Sequence, residues 1–504
     1  MPALPGRPAS LWVDSAPDVR FPEIERDLDV DVAVIGGGIT GVSAALLLIE
    51  EGRSVALLEA ERVGHGVSGY STAKVTSLHQ LTYAELASKR GEEAARVYGE
   101  ANEAGLARIV SWVEQHRIDC DFRRKPSFTH TDWPDDLADV EEEADVALRL
   151  GLPASFTTET DLPWQVAGAV RFDDQAEFHP CRYIARLAEV ARDRGALVHE
   201  GAHAVDIKDG EPCVVTLEGG REVRARHVIV STHFPFLDRG GHFARQHPER
   251  SYVLATRIEG KVPQGMYIDT EGHSLRAQPG PDGQEYLLVG GASHRVGQGH
   301  EAESYRVLEE YARDRFDVRS IDYRWSTQDN VPPDKVPYVG RIAPFARRIL
   351  VATGYRKWGF ANGTAAAMIL ADMIAVRENP WASTFDATRV GPPSSLATLV
   401  KENANVALHF VFDRLKRGSV KDIEPGGGAI VRDGPRQLAV HRDEKGRLHA
   451  VSARCTHLGC IVDWNEAERT WDCPCHGSRF GIDGHVVQGP ALDPLEPRDV
   501  KPDI

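Results

Sequence analysis

What this chain lacks narrows its function before any motif is read. It has no excess of basic residues: the formal net charge is -16, which argues against nucleic acid as a partner and leaves no polybasic patch for an anionic membrane. No apolar run is long enough to span a bilayer, and Met1-Pro-Ala-Leu-Pro-Gly-Arg-Pro8 has no apolar core of the kind a secretory signal carries. A cytoplasmic location is the expectation. Cysteine is sparse along most of the chain, at Cys120, Cys181 and Cys213, and then crowds one short region as Cys455, Cys460, Cys473 and Cys475. Such clustering suggests a metal site before a disulfide scaffold. What is present is bulk: 504 residues, 42% hydrophobic and 27% charged, enough for two or three globular domains with sizeable cores.

The organising stretch is Asp31-Val-Ala-Val-Ile-Gly-Gly-Gly-Ile-Thr-Gly41, closed by Leu57-Leu58-Glu59. An apolar run from Val30 to Ile35 meets Gly36-x-Gly38-x-x-Gly41, a helix-like run continues through Ile49, Gly52 breaks it, and Val55 to Leu58 is apolar again. This predicts a strand, turn, helix, strand unit. Gly36 would make the tight turn, Gly38 would admit a pyrophosphate against the backbone, and Gly41 would let helix and strand pack closely. Ile39 and Thr40 fall at the helix start, whose amides would face the phosphates, and Glu59 is placed to accept from ribose hydroxyls. A dinucleotide site follows, although this pattern alone does not separate FAD from NAD. The next stretch, Arg62-Val-Gly-His-Gly-Val-Ser-Gly-Tyr-Ser-Thr-Ala-Lys74, is a Gly, Ser and Thr-rich loop. With it the sequence resembles the D-amino-acid-oxidase-like flavoproteins, the group that includes glycine oxidase and sarcosine oxidase. The resemblance implies FAD, with Ser68, Thr72, Ala73 and Lys74 in a loop over the flavin. Nothing in the spacing of His65 supports covalent attachment.

Residues 1–28 read as an N-terminal arm over the flavin domain. Leu81 to His116 and Ala138 to Leu150 have helical spacing, with charges on a solvated face. Val166 to Phe178 predicts a strand and turn, followed by a helix from Cys181 to Gly195. His179, just before Pro180, suits a helix start or core position better than a functional role. Short strands at Leu197 to Glu200, Ala204 to Lys208, Cys213 to Leu217 and Val223 to Ser231 match the second group of flavin-domain strands, which brings Thr232 to the cofactor. Those at Ser251 to Glu259, Gln264 to Asp269, Ser274 to Ala277 and Glu285 to Gly291 predict an antiparallel substrate-domain sheet. After a helix from Glu301 to Phe316 comes Ile349-Leu-Val-Ala-Thr-Gly-Tyr-Arg-Lys-Trp-Gly359, a strand and Gly-containing loop leading into another helix. In the resembled family the amides at such a helix start, here near Gly354 and Gly359, face the electron-rich edge of the flavin. Lys357 stands where glycine-oxidase-like proteins carry a carboxylate-binding Arg, and Lys is the less specific clamp. Trp358, Arg276 and His294 are further candidates for the substrate site.

Pro380 to Ser395 breaks the pattern, and Leu396 to Arg417 predicts an amphipathic helix that packs between the domains it joins. The expected organisation is an arm at 1–28, an FAD-dependent oxidoreductase at 29–385, a linker at 386–424 and a small all-β domain at 425–504. Cofactor-binding segments fall at about 29–80, 170–235 and 336–385, with the substrate domain between them.

The last domain contains strands at Ala429 to Arg432, Leu438 to His441 and Leu448 to Ser452, then Cys455-Thr-His457-Leu-Gly-Cys460 and Cys473-Pro-Cys475-His476-Gly-Ser478. Zinc accepts two cysteines and two histidines, but zinc fingers usually keep Cys with Cys and His with His. Here each loop offers one of each, which suits a [2Fe-2S] cluster with cysteines on one iron and histidines on the other. Both loops resemble the Rieske proteins of the cytochrome bc type. That resemblance implies Cys455, His457, Cys473 and His476 as cluster ligands, Cys460 and Cys475 as a disulfide, and Ser478 as a hydroxyl donor that raises the potential. Phe480 stands where the highest-potential members have Tyr, and Gly489-Pro-Ala491 matches the loop that shields the cluster.

Flavin takes two electrons as a hydride equivalent and the cluster moves one at a time, so the expectation is a dehydrogenase of an amine or amino-acid-like substrate. Its electrons would pass through the cluster to an external acceptor, a protein or a quinone. An NAD(P)H-dependent ferredoxin-reductase-like flavoprotein would need a second glycine fingerprint, and Val289-Gly-Gly-Ala-Ser-His294 lacks the spacing. A non-catalytic redox sensor is the other alternative. A Rieske oxygenase is disfavoured, because no two-His-one-carboxylate set is recognisable outside the cluster loops.

Overall fold

The computed structural model describes residues 4–391 and 418–500. The expected amphipathic helix at Leu396 to Arg417 lies outside the described residues. The glycine motif forms the unit predicted for it: strand Leu28–Ile35, helix Ile39–Glu50, strand Val55–Leu58. Val32, Ala33 and Val34 are fully buried because helices cover one face of the sheet, while Ile207, Val215, Leu217 and the turn at Ile342 and Ala343 cover the other, which is why the run reads as continuously apolar. Six strands line up in the order Tyr338–Arg341, Ile349–Thr353, Glu222–Val230, Leu28–Ile35, Val55–Leu58, Leu197–His199, and all but the first join are parallel. The strands Ala204–Lys208 and Cys213–Leu217 extend the sheet as an antiparallel flap.

The second sheet has ten strands and is the one expected to carry the substrate side. It departs from the antiparallel expectation at two joins: Met266–Asp269 runs parallel to Arg123–Thr131, and the arm strand Arg7–Pro8 runs parallel to Val318–Val331. Arg123–Thr131, polar at one end and buried at the other, gave no clear period and was not anticipated. The helical run from Leu81 to His116 divides into Thr82–Arg90 and Glu92–Gln115, because Gly91 between them has φ 89°. The longer helix meets Gly359–Ile374 at Gly105, where an added Cβ would lie 2.3 Å from the Ala361 carbonyl. The arm is anchored by Trp12, fully buried, whose indole donates to the Ser71 carbonyl at 2.7 Å.

Residues 418–500 form a three-stranded sheet, Gly428–Asp433, Arg436–Arg442 and Leu448–Ser452, and a four-stranded one from Asp463–Asn465 to Val486–Gln488. This small all-β unit docks on the substrate sheet through buried polar contacts. Arg250 pairs with Asp472 at 2.5 Å, Gln328 Nε2 donates to the Gly477 carbonyl at 3.0 Å, and Tyr305 donates to Glu468 at 3.2 Å. Gly297 is needed there, since a Cβ would fall 2.2 Å from Pro474.

Removing the Arg250 guanidinium leaves Asp472 buried with part of its compensation gone, as Arg479 still reaches it at 3.2 Å. Arg250→Ala is expected to cost about 3 kcal/mol, the low end for a broken buried ion pair. Native-state hydrogen exchange across residues 463–480 measures it; unchanged protection there would contradict the assigned role of this pair.

Candidate redox sites

One large cavity, about 1030 Å³, runs from the glycine turn to the substrate sheet and on to residues 485–492 of the small domain. Gly36, Gly38, Ile39, Thr40, Glu59, Ser68, Thr72, Ala73, Lys74, Thr232, Lys357, Trp358 and Gly359 all lie on its wall. Gly41 and Gly354 act behind it. A Cβ on Gly41 would sit 1.9 Å from the Gly36 carbonyl, so the helix can approach the strand only with glycine there. Gly354 has φ +85° and would meet Pro332 at 2.6 Å. Gly36, at φ +102°, would strike the Ser231 carbonyl at 2.6 Å, so the turn and the neighbouring strand end leave backbone, not side chain, facing the cavity. Glu59 accepts from the Gly37 amide at 2.6 Å and from Glu61 at 2.9 Å, and burial raises its pKa. Two helix N-termini, at Ile39 and Gly359, open on this space, with Thr40 Oγ1 and the Tyr355 hydroxyl 2.8 Å apart between them. Backbone left bare by glycine, helix-start amides and a strand-end carboxylate fit a dinucleotide cofactor.

The predicted substrate residues separate. Lys357 and Trp358 are on the cavity, and Trp358 stacks on buried His79 at 4.6 Å. Lys357 is already engaged: its ammonium donates to Ser293 Oγ at 2.9 Å and pairs with Glu249 at 3.3 Å. Burial pushes the Glu249 carboxyl up, but the hydrogen bond with His247 and the charge of Lys357 outweigh it and bring it down to about 2. Arg276 does not line the cavity. Its guanidinium is buried, donates to the carbonyls of Thr72, Ala73 and Phe178, and pairs with Glu177 at 3.2 Å, so it fastens the flavin loop to the sheet. His294 is also off the wall, bonded to the Tyr252 hydroxyl at 2.8 Å and the Arg295 carbonyl at 2.9 Å. His179 caps the helix Pro180–Asp193, accepting from the Arg182 amide at 3.3 Å. Lys74 reaches the Tyr267 carbonyl and Ser274 Oγ, and burial, with repulsion from Arg276, lowers its ammonium to about 7. Glu249, Ser293 and Tyr355 were missed, because Glu249 and Ser293 meet Lys357, and Tyr355 meets Thr40, only through long-range contacts of the fold.

In the small domain the two motif loops face each other. Cys460 and Cys475 form a disulfide, while Cys455 and Cys473 are free, buried and hydrogen-bonded to one another. That bond draws the Cys455 thiol down to about 7 and pushes Cys473 up. The rings of His457 and His476 stand 5.0 Å apart at 89°, and the Nδ1 atom of each is buried without a partner. Two free thiols and two orphaned imidazole nitrogens on opposed loops fit a cluster held by Cys455, Cys473, His457 and His476. Ser478 Oγ accepts from the Ala491 amide at 3.1 Å and reaches toward Cys455, tying the Gly489 to Ala491 loop to the ligand loop.

A glycine-turn dinucleotide sheet under a large mixed substrate sheet, joined to a Cys2His2 cluster domain, defines a flavoprotein oxidoreductase with a Rieske centre. Residues 31–373 match the FAD dependent oxidoreductase family and residues 414–499 the Rieske [2Fe-2S] domain. The chain belongs to the FAD-dependent oxidoreductase family and carries a C-terminal Rieske domain. Its cofactors are therefore FAD and a [2Fe-2S] cluster. Bacillus subtilis (strain 168) YhfW, named for a Rieske 2Fe-2S iron-sulfur centre, is 37% identical over 98% of both chains. Gamma-glutamylputrescine oxidoreductase of Escherichia coli (strain K12) is 24% identical over 70% of this chain and 85% of its own. Glycine oxidase from Geobacillus kaustophilus shares the fold, with TM-score 0.62 and 20% identity over 72% of this chain and 99% of that one.

Cys455→Ser and His476→Ala are expected to abolish cluster assembly and leave FAD bound, since neither residue lines the dinucleotide end of the cavity. Iron analysis and flavin absorbance of each purified variant check this; joint loss of both cofactors would contradict it.

Proposed function

We propose that the protein is a dehydrogenase of an amine or amino-acid-like substrate that delivers its electrons through the Rieske centre to an external one-electron acceptor, a protein or a quinone. The observation that carries this reading is the shared cavity: the same space holds the FAD glycines, the aromatic Trp358 and Tyr355, and residues 485–492 of the cluster domain. When bound, FAD supplies two-electron oxidation and the cluster supplies one-electron transfer. The work left to the protein is orientation, charge placement and exclusion of water.

The charges at the substrate end favour an amine over a simple α-amino acid. A carboxylate clamp needs an uncompensated cation, and Lys357 is balanced by an ionised Glu249. A second carboxyl on the wall, Asp329, is held toward its neutral form by burial, against the attraction of His233 and Lys357. Such a site can accept a neutral amine without stranding a charge, and a cationic one on loss of the Asp329 proton, whereas a substrate carboxylate would have to displace Glu249. The similarity to an oxidoreductase named for a polyamine derivative supports the same reading. Among the described residues no helix is long and apolar enough to cross a membrane.

Anaerobic reductive titration, following flavin absorbance with the cluster's paramagnetic signal, should take up about three electrons per chain, the cluster reducing before the flavin bleaches. A flavin that bleaches first would reverse the proposed direction. Glu249→Gln should free Lys357 and move the kcat/KM ratio toward α-carboxylated amines over their decarboxylated counterparts, by about tenfold for each 1.4 kcal/mol. An unmoved ratio would remove Lys357 and Glu249 from substrate selection.

A further inference from the structure

The histidine edge of the cluster site is not bare. His457 Nε2 lies 3.1 Å from Asp238 Oδ1, and the His457 side chain is only 6% exposed. Phe243 presents its ring edgewise to both ligand histidines, at 6.4 Å and 78° for His457 and 5.8 Å and 89° for His476. Asp238 and Phe243 belong to the flavoprotein part, in the stretch that leaves strand Glu222–Val230, passes the cavity-lining residues Ser231 to Phe234 and Phe236, and turns at Arg239–Gly241. The part of the molecule that holds one cofactor thus supplies the outer contacts of the other.

The chemistry of this contact is determined by which nitrogen faces inward. The Nδ1 atoms of both rings are buried and unpartnered, so they point to the metal, and Nε2 of His457 carries the proton it donates to Asp238. A carboxylate in that position fixes the ring and makes the imidazole a stronger donor to its metal. Each one-electron reduction adds a negative charge to the centre, and a neighbouring carboxylate opposes that charge. His476 has no carboxylate partner among the described residues; its ring is bounded by Phe243 and His457.

We propose that Asp238 is a positioning residue for the iron-sulfur centre: it holds the His457 ring and lowers the midpoint potential of the cluster, so that the flavoprotein domain tunes the centre docked on it. The inference needs the cluster but not the direction of electron flow or the identity of the substrate, so its failure would leave the proposed dehydrogenase reading standing. Asp238 is 55% exposed, and solvent moderates the effect without abolishing it.

The test is a redox titration of the holoprotein monitored by the cluster's paramagnetic signal. Asp238→Asn keeps an acceptor oxygen and removes the charge, and its midpoint potential should rise; Asp238→Glu should bring it back toward the wild-type value. A potential unchanged in Asp238→Asn, or shifted equally by both substitutions, would overturn the proposal. Should Asp238→Asn fail to assemble the cluster, hyperfine spectroscopy of the wild-type protein transferred to deuterated water decides. Slow exchange of one histidine Nε2 proton, the one shielded by Asp238, supports the contact, and equally fast exchange of both overturns it.

Discussion

The architecture depends on one buried charge cluster. Arg250 from the substrate sheet and Arg479 from the small domain share Asp472, and Arg479 also binds Glu468. Asn465 donates to the Asp472 oxygen that Arg250 holds and Thr470 to the one that Arg479 holds, at 2.8 Å each. Two cations and two carboxylates together bury no net charge, which is the condition under which such a group can be removed from water at tolerable cost. Hydrophobic residues of the same volume could hold the domains together as firmly, but they would admit sliding. The forked geometry of two guanidiniums fixes one docking, and with it the placement of residues 485–492 on the cavity wall.

The depressed pKa of Asp472 ties that docking to pH. Burial alone would raise it; the arginines and hydrogen bonds more than offset burial and place it below the ordinary carboxylate range. A carboxylate depressed on folding contributes stability that is complete above its unfolded pKa and is lost as pH falls below that value toward the folded one. The interface should therefore hold at neutral pH and loosen only in acid, where the cluster's histidine ligands would also be challenged by protons.

Sequence was most informative where chemistry restricts residue type tightly. The three glycines were legible because a Cβ at Gly36 or Gly41 would collide with backbone, so no other residue serves. The cluster loops were legible because two thiolates and two imidazoles at short spacing have few other uses. Long-range pairing was not legible. Arg276 resembles a substrate clamp in sequence, yet its role is set by carbonyls of residues 72, 73 and 178 that only the fold brings to it. The charge of Lys357 is likewise offset by Glu249, more than a hundred residues earlier in the chain. Strand Val318–Val331 was obscured because its exposed end and its buried end follow different patterns. The arm at 1–28 showed no period because its buried anchors, Leu11, Trp12, Phe21 and Ile24, are irregularly spaced around a two-residue strand and a single helical turn.

A single stretch, residues 231–250, visits every functional part of the molecule. It begins at Ser231, whose carbonyl and hydroxyl pack on the glycine turn. It passes Asp238 and Phe243 against His457 and His476, then enters strand His247–Ile258 with Glu249 turned to Lys357 and Arg250 turned to Asp472. Adjacent residues of a strand point to opposite faces, so Glu249 can meet Lys357 and Arg250 can meet Asp472 at once without competing. The FAD site, the substrate end and the cluster are thereby fixed by one continuous piece of backbone. The relative placement of the two sites depends on such rigidity, because an error of an ångström in a hinge between two domains would be added to the separation of everything they hold. Placing all three contacts on one short segment removes such a hinge from the described part of the molecule.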